Sequence, residues 1–79
     1  LKIRKSYGSN GERSVYIHEN KKDESILVAI PSLEWSCYFT YDEAGEELQE
    51  RMMKSLAERT DDSEANELSG RIRGWTGEM

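Results

Sequence analysis

The sequence is poor in the residues that most site chemistries need. Its 79 residues include one cysteine (Cys37), one histidine (His18), one proline (Pro31) and one phenylalanine (Phe39). A lone cysteine cannot close an internal disulfide, and a small disulfide-free domain fits a reducing compartment. One His and one Cys cannot build a tetrahedral zinc site without several carboxylates, so no metal is expected. No apolar run approaches the roughly 18 residues of a membrane span. No basic-then-apolar leader is visible, and the expectation is a soluble, cytoplasmic protein with no membrane partner.

Charge is abundant, at 34% of residues against 35% hydrophobic, with a net charge of -5. It is unevenly distributed. Residues 1–41 hold six Lys/Arg and five Asp/Glu, whereas residues 42–79 hold five and eleven. An acidic chain is repelled by phosphates at long range, which argues against a nucleic-acid partner. The length predicts one small α+β domain over residues 1–79, burying only about 60% of its unfolded surface.

The first half reads as strands. Lys2–Tyr7 alternates weakly and runs into Gly8-Ser9-Asn10-Gly11, a dense turn signal. Arg13–His18 puts Val15 and Ile17 on one face, and Tyr16 and His18 on the other. Asn20-Lys21-Lys22-Asp23 is the next polar turn. Ser25–Ile30 is β-branched and nearly all apolar, which suits a central strand. Both its faces are apolar, so periodicity does not fix which one points inward. Pro31 lacks an N–H and ends it. From Trp35 to Tyr41 the odd positions Trp35, Cys37, Phe39 and Tyr41 share one face.

The second half reads as two helices. Thr40 and Glu43 have capping-box spacing, with Asp42 as a competing cap. Ala44, Leu48, Met52 and Leu56 form an amphipathic stripe, and Glu43, Glu46, Glu47 and Glu50 lie opposite. Thr60-Asp61-Asp62 breaks the pattern and offers the next cap. Ala65, Leu68, Ile72, Trp75 and Met79 then make a narrow seam within about 80° on a helical wheel. Gly70, Gly74 and Gly77 line the other side, as a frayed helix end or as a close approach of a partner backbone.

These patterns predict a three- or four-stranded antiparallel sheet followed by two helices packed on one face, in the order β-β-β-β-α-α. The inner face would carry Val15, Ile17, Ile26, Val28, Ile30, Trp35, Cys37 and Phe39. The helices would contribute Leu48, Met52, Leu56, Leu68, Ile72 and Trp75.

No catalytic, cofactor-binding or metal-ligating residue is assigned. On this parity Cys37 faces the core and His18 faces away, so they cannot act as a nucleophile–base pair. The acidic run Asp42–Glu50 lacks the loop spacing and turn glycine of a calcium hand, and reads as a solvated helix face. The glycine turn has neither the lysine nor the following helix of a phosphate loop. What remains is the outer sheet face, where Tyr16, His18, Leu27, Ala29 and Tyr38 would lie together. An aromatic and apolar patch on an open sheet marks either a partner surface or a face covered by loops.

The segments Val28-Ala29-Ile30-Pro31-Ser32-Leu33-Glu34-Trp35, Phe39-Thr40-Tyr41 and Gly45-Glu46-Glu47-Leu48 resemble the YueH-like family of small bacillar proteins. The resemblance spans most of the chain, from Lys2 to Trp75. It implies a cytosolic Gram-positive protein and carries over no functional residue. A shorter stretch, Ile30-Pro31-Ser32-Leu33 and Glu46-Glu47-Leu48, is similar to HicB-type antitoxins. That family has Pro-Gly-Cys where this chain has Glu34-Trp35-Ser36, and a strand where this chain has the Ala65–Trp75 seam.

The leading expectation is a noncatalytic domain that binds a protein partner or itself through the outer sheet face, with no cofactor. The first alternative is an antitoxin-like or RNase-inhibitor protein using its acidic helix. The second is a small enzyme, which would require convergent carboxylates in a polar cleft.

Overall fold

The computed structural model describes residues 1–8 and 10–77. It divides into two units, Leu1–Glu43 and Ala44–Met79. Ser9 and Met79, named above in a turn and in the helical seam, lie outside the described residues.

The first unit is a four-stranded antiparallel sheet in the order β1-β2-β3-β4. The strands are β1 (Lys2–Gly8), β2 (Gly11–Asn20), β3 (Ser25–Ile30) and β4 (Trp35–Thr40). Both inner strands, β2 and β3, carry the β-branched runs, as expected for strands paired on both edges. β2 is longer than the Arg13–His18 periodicity suggests. Its extra residues continue the ladder with β1 as far as the pair Gly8–Gly11. Gly11 has φ +96, a conformation costly for any residue with a Cβ, so glycine sets where this hairpin turns. The β2–β3 turn is fixed by Asn20. Its Oδ1 accepts from the Asp23 N–H at 3.2 Å, and its Nδ2 donates to the Asp23 carboxylate at 3.0 Å.

Register settles the parity that composition leaves open. Ile17 pairs with Val28 and Val28 with Cys37; Ile26 pairs with Phe39 and Ile30 with Trp35. Directly opposed residues share a face. All eight residues assigned to the inner face therefore lie together, and seven are buried. Cys37 is the exception, being half-buried.

Between β3 and β4, Pro31–Leu33 forms a 3-10 turn. Glu34 closes it in the left-handed conformation, at φ 50, and its N–H donates to the Pro31 carbonyl at 3.0 Å. A side chain there costs about 1 kcal/mol relative to glycine. Glu34→Gly is therefore expected to raise stability by a few tenths to about 1 kcal/mol, less the greater freedom of the unfolded chain. Urea denaturation of the two proteins reads this directly.

The second unit is a pair of helices, α1 (Gly45–Leu56) and α2 (Asp62–Gly77). The Thr40–Glu43 spacing does not start α1. The Glu43 carboxylate does accept from the Thr40 N–H, at 3.0 Å. However, the Tyr41 N–H donates to the Glu24 carbonyl at 2.9 Å, which keeps this segment beside the β2–β3 turn. The helix begins only after Ala44, which supplies no side-chain cap, and Gly45 has φ +71. Asp61 does cap α2. Its Oδ1 accepts from the Glu64 N–H at 2.7 Å, and its carbonyl accepts from the Ala65 N–H at 2.9 Å. Thr60 Oγ1 donates to the Glu64 carboxylate, which is buried in this first turn.

Leu48, Met52 and Leu56 are the buried residues of α1, and Ala65, Leu68, Ser69 and Ile72 are buried in α2 with Glu64. Trp75, expected in the seam, is only half-buried, in the last turns of α2. The glycine stripe lies inside α2, and among the described residues no other part of this chain crowds it. The helix continues through Gly77, and a Cβ at Gly74 or Gly77 would meet nothing within 4 Å. At Gly70 it would meet the Gln49 side chain at 3.5 Å, an ordinary contact.

Candidate functional site

The face of the sheet opposite the buried one carries the five residues that the sequence points to. Two cross-strand rows define it. Ile3, Tyr16, Ala29 and Ser36 form one; His18, Leu27 and Tyr38 form the next. Neighbours along a row have Cβ atoms roughly 5 Å apart, so each row is a continuous surface. Tyr38 is 59% exposed, Ile3 51% and Leu27 43%, while Tyr16 and Ala29 are half-buried and His18 is exposed. Ile3 and the exposed Tyr7 also belong to this face, and sequence reasoning misses them. Alternation in Lys2–Tyr7 is too weak to assign their side, and only the pairing with β2 does so.

Polar groups bound the apolar rows at both ends. Lys5 Nζ donates to Ser14 Oγ at 2.7 Å and pairs with the Glu12 carboxylate at 3.1 Å. At the other end, Asn20, Ser25 and Thr40 stand side by side. An apolar centre inside a polar margin is the usual composition of a protein contact surface.

His18 and Cys37 lie on opposite faces, since His18 pairs with Leu27 and Cys37 with Val28. That geometry removes the thiol–imidazole pair. Among the described residues, no group of three or more His, Cys, Asp or Glu is placed to hold a metal. No helix among them is long and apolar enough to cross a membrane.

One titratable group stands out. The Tyr41 hydroxyl donates to the Glu19 carboxylate, and its pKa is pushed up to about 12. The hydrogen bond is the main cause, followed by burial and by the negative charges of Glu19 and Glu24. The protonated phenol holds this bond, so its stabilising effect is complete below the ordinary tyrosine value near 10 and is lost as pH rises through about 12. An ultraviolet tyrosinate titration is expected to show a late component. Tyr41→Phe should remove it, and Glu19→Gln should move it to lower pH.

The helical unit has a groove of about 370 Å³ lined by Glu46, Gln49, Glu50, Met53, Asn66 and Arg73. Arg73 Nη1 donates to Gln49 Oε1 at 2.9 Å across its floor. The groove is open and its charged lining is solvated, with Glu46, Glu50 and Arg73 all exposed.

Comparison with known proteins adds lineage to this geometry. A model of the family described as "YueH-like protein" matches residues 2–78. The chain belongs to the YueH-like family. A curated relative, "Uncharacterized protein YueH" of Bacillus subtilis (strain 168), is 45% identical over 65 residues, covering 82% of this chain and 79% of the relative. No solved structure matches. The YueH-like resemblance read from Val28–Trp35 and its neighbours is therefore established, whereas the HicB resemblance is not shown. Membership assigns no activity.

Proposed function

We propose that this YueH-like chain is a noncatalytic, cytoplasmic protein-interaction domain whose working surface is the exposed sheet face. The observation that supports this most is the pair of rows Ile3–Tyr16–Ala29 and His18–Leu27–Tyr38, apolar at the centre and bounded by Lys5, Glu12, Ser14, Asn20 and Thr40. Leaving Leu27, Ile3 and Tyr38 in water forgoes roughly 25 cal/mol for each Å² of apolar surface that a partner would cover. A lone cysteine away from any second thiol suits a reducing cytoplasm.

The test is the double variant Tyr16→Ala, Tyr38→Ala. Its circular dichroism should match that of the parent, because neither side chain belongs to the buried face. Association, read by sedimentation and by retention of cell proteins on the immobilised chain, should be lost. Unchanged association in a folded double variant would contradict the proposal.

A further inference from the structure

We infer that the β1 edge of the sheet docks an extended segment of a partner protein with the pattern acidic–apolar–acidic, which joins the sheet as a fifth strand. This edge is a second surface, and the inference does not depend on the open-face reading above.

The backbone comes first. β1 is an outer strand and pairs within the sheet only with β2. Its seven residues follow one unbroken register with β2, without a bulge, and it contains no proline. In an antiparallel ladder, alternate residues turn their N–H and C=O groups away from the neighbouring strand. On an outer strand those groups face outward. Among the described residues, residues 2–5 make no backbone hydrogen bond outside this ladder. Such an edge accepts a further strand through main-chain bonds.

Charge selects the occupant. β1 carries Lys2, Arg4 and Lys5 and no acid, whereas the opposite edge, β4, carries no charged residue. Lys5 already pairs with Glu12. Among the described residues, the side chains of Lys2 and Arg4 make no ion pair or hydrogen bond. Their neighbours on β2 are Ile17 and Val15, which supply no counter-charge. Lys2 and Arg4 lie two residues apart, on one side of the strand and about 6.8 Å from each other along it. Carboxylates two residues apart on an added strand repeat at the same spacing and come to rest beside them. The residue between those carboxylates falls beside Ile3, on the other side, and extends the apolar row Ile3–Tyr16. Two copies joined β1 to β1 would set like charges side by side, so the same cations oppose self-pairing at this edge. The net charge of -5 acts weakly here, because charges beyond about 8 Å are screened at physiological salt.

The test is a titration of the isotope-labelled chain with a capped hexapeptide, Thr-Glu-Val-Glu-Val-Thr, to about 1 mM, followed by amide NMR. Shifts should concentrate in β1, and the β1 amides that face away from β2 should gain protection from hydrogen exchange. The same peptide with lysine in place of glutamate should not bind. N-methylation of both valines should abolish binding, because it removes main-chain donors. Lys2→Glu with Arg4→Glu should weaken binding of the acidic peptide at least about tenfold and confer binding of the lysine peptide. Lys2→Glu alone, at an exposed position, should weaken it in the same direction, and circular dichroism confirms folding of each variant. Tyr38→Ala, on β4, should leave peptide binding unchanged.

The inference is overturned by an acidic peptide that does not bind, or that binds equally well when N-methylated. It is also overturned by shifts centred on another element, by loss of binding in Tyr38→Ala, or by an oligothymidylate that binds this edge more tightly than the peptide. None of these results except the loss in Tyr38→Ala bears on the open face, so the two readings fail separately.

Discussion

Ile17→Ala should lower the unfolding free energy by about 2–5 kcal/mol, while Ile3→Ala should change it by no more than about 0.5 kcal/mol. The two isoleucines lie on neighbouring strands of one sheet, on opposite faces. Ile17 is 1% exposed and Ile3 51% exposed. Truncating Ile17 removes buried methylenes and leaves a cavity beside Val15 and Val28, which are themselves fully buried. Truncating Ile3 removes surface already in water. Below about 80 residues a single core rarely supplies more than about 3–5 kcal/mol, so Ile17→Ala should leave much of the chain unfolded. Urea denaturation followed by Trp35 emission measures both, with Trp75→Phe as background. Equal losses would contradict the assignment of faces.

In the helical unit, Leu68→Ala should cost about 2–5 kcal/mol, and Gly74→Ala should add about 0.5–1 kcal/mol. The opposite signs follow from position. Leu68 is fully buried in α2. Gly74 lies inside the same helix, is exposed, and has open space where a Cβ would project. Alanine there gains helix propensity and meets no obstacle. Trp75 reports on this unit as Trp35 reports on the sheet, so Trp35→Phe isolates its transition. A drop in stability in Gly74→Ala would point instead to the close backbone approach that a stripe of glycines suggests.

The sheet is readable from sequence because alternation and turn chemistry agree. Val15 and Ile17 alternate with Tyr16 and His18, and the asparagine–aspartate turn lies where the ladder reverses. The weakly patterned β1 is harder, because only its pairing with β2 shows which side Ile3 and Tyr7 occupy. The start of α1 lies later than the Thr40–Glu43 spacing predicts. Those residues make one of the bonds of a capping box, yet backbone pairing of Tyr41 with Glu24 holds the segment out of the helix. Local spacing cannot report such a long-range bond. The start of α2 is readable from Thr60-Asp61-Asp62, and the structure shows which of the three caps it: Asp61, whose carboxylate accepts from the Glu64 N–H. For the exposed face, Tyr16, His18 and Tyr38 follow from period two, whereas Leu27 and Ala29 lie on a strand apolar on both faces and are fixed only by their pairing with His18, Tyr38 and Tyr16. Their arrangement in rows, large beside small, needs the register.

The proposal that the exposed sheet face is the working surface meets its most direct test in a photo-crosslinking amino acid placed at Tyr38 in living cells. A second chain carries it at Glu58, an exposed position beyond the end of α1. The account expects a protein adduct from position 38, of twice the chain mass if the partner is a second copy. That adduct should disappear when Tyr16→Ala is added, and position 58 should give none. Adducts from position 58 alone, or from position 38 unchanged by Tyr16→Ala, would contradict it.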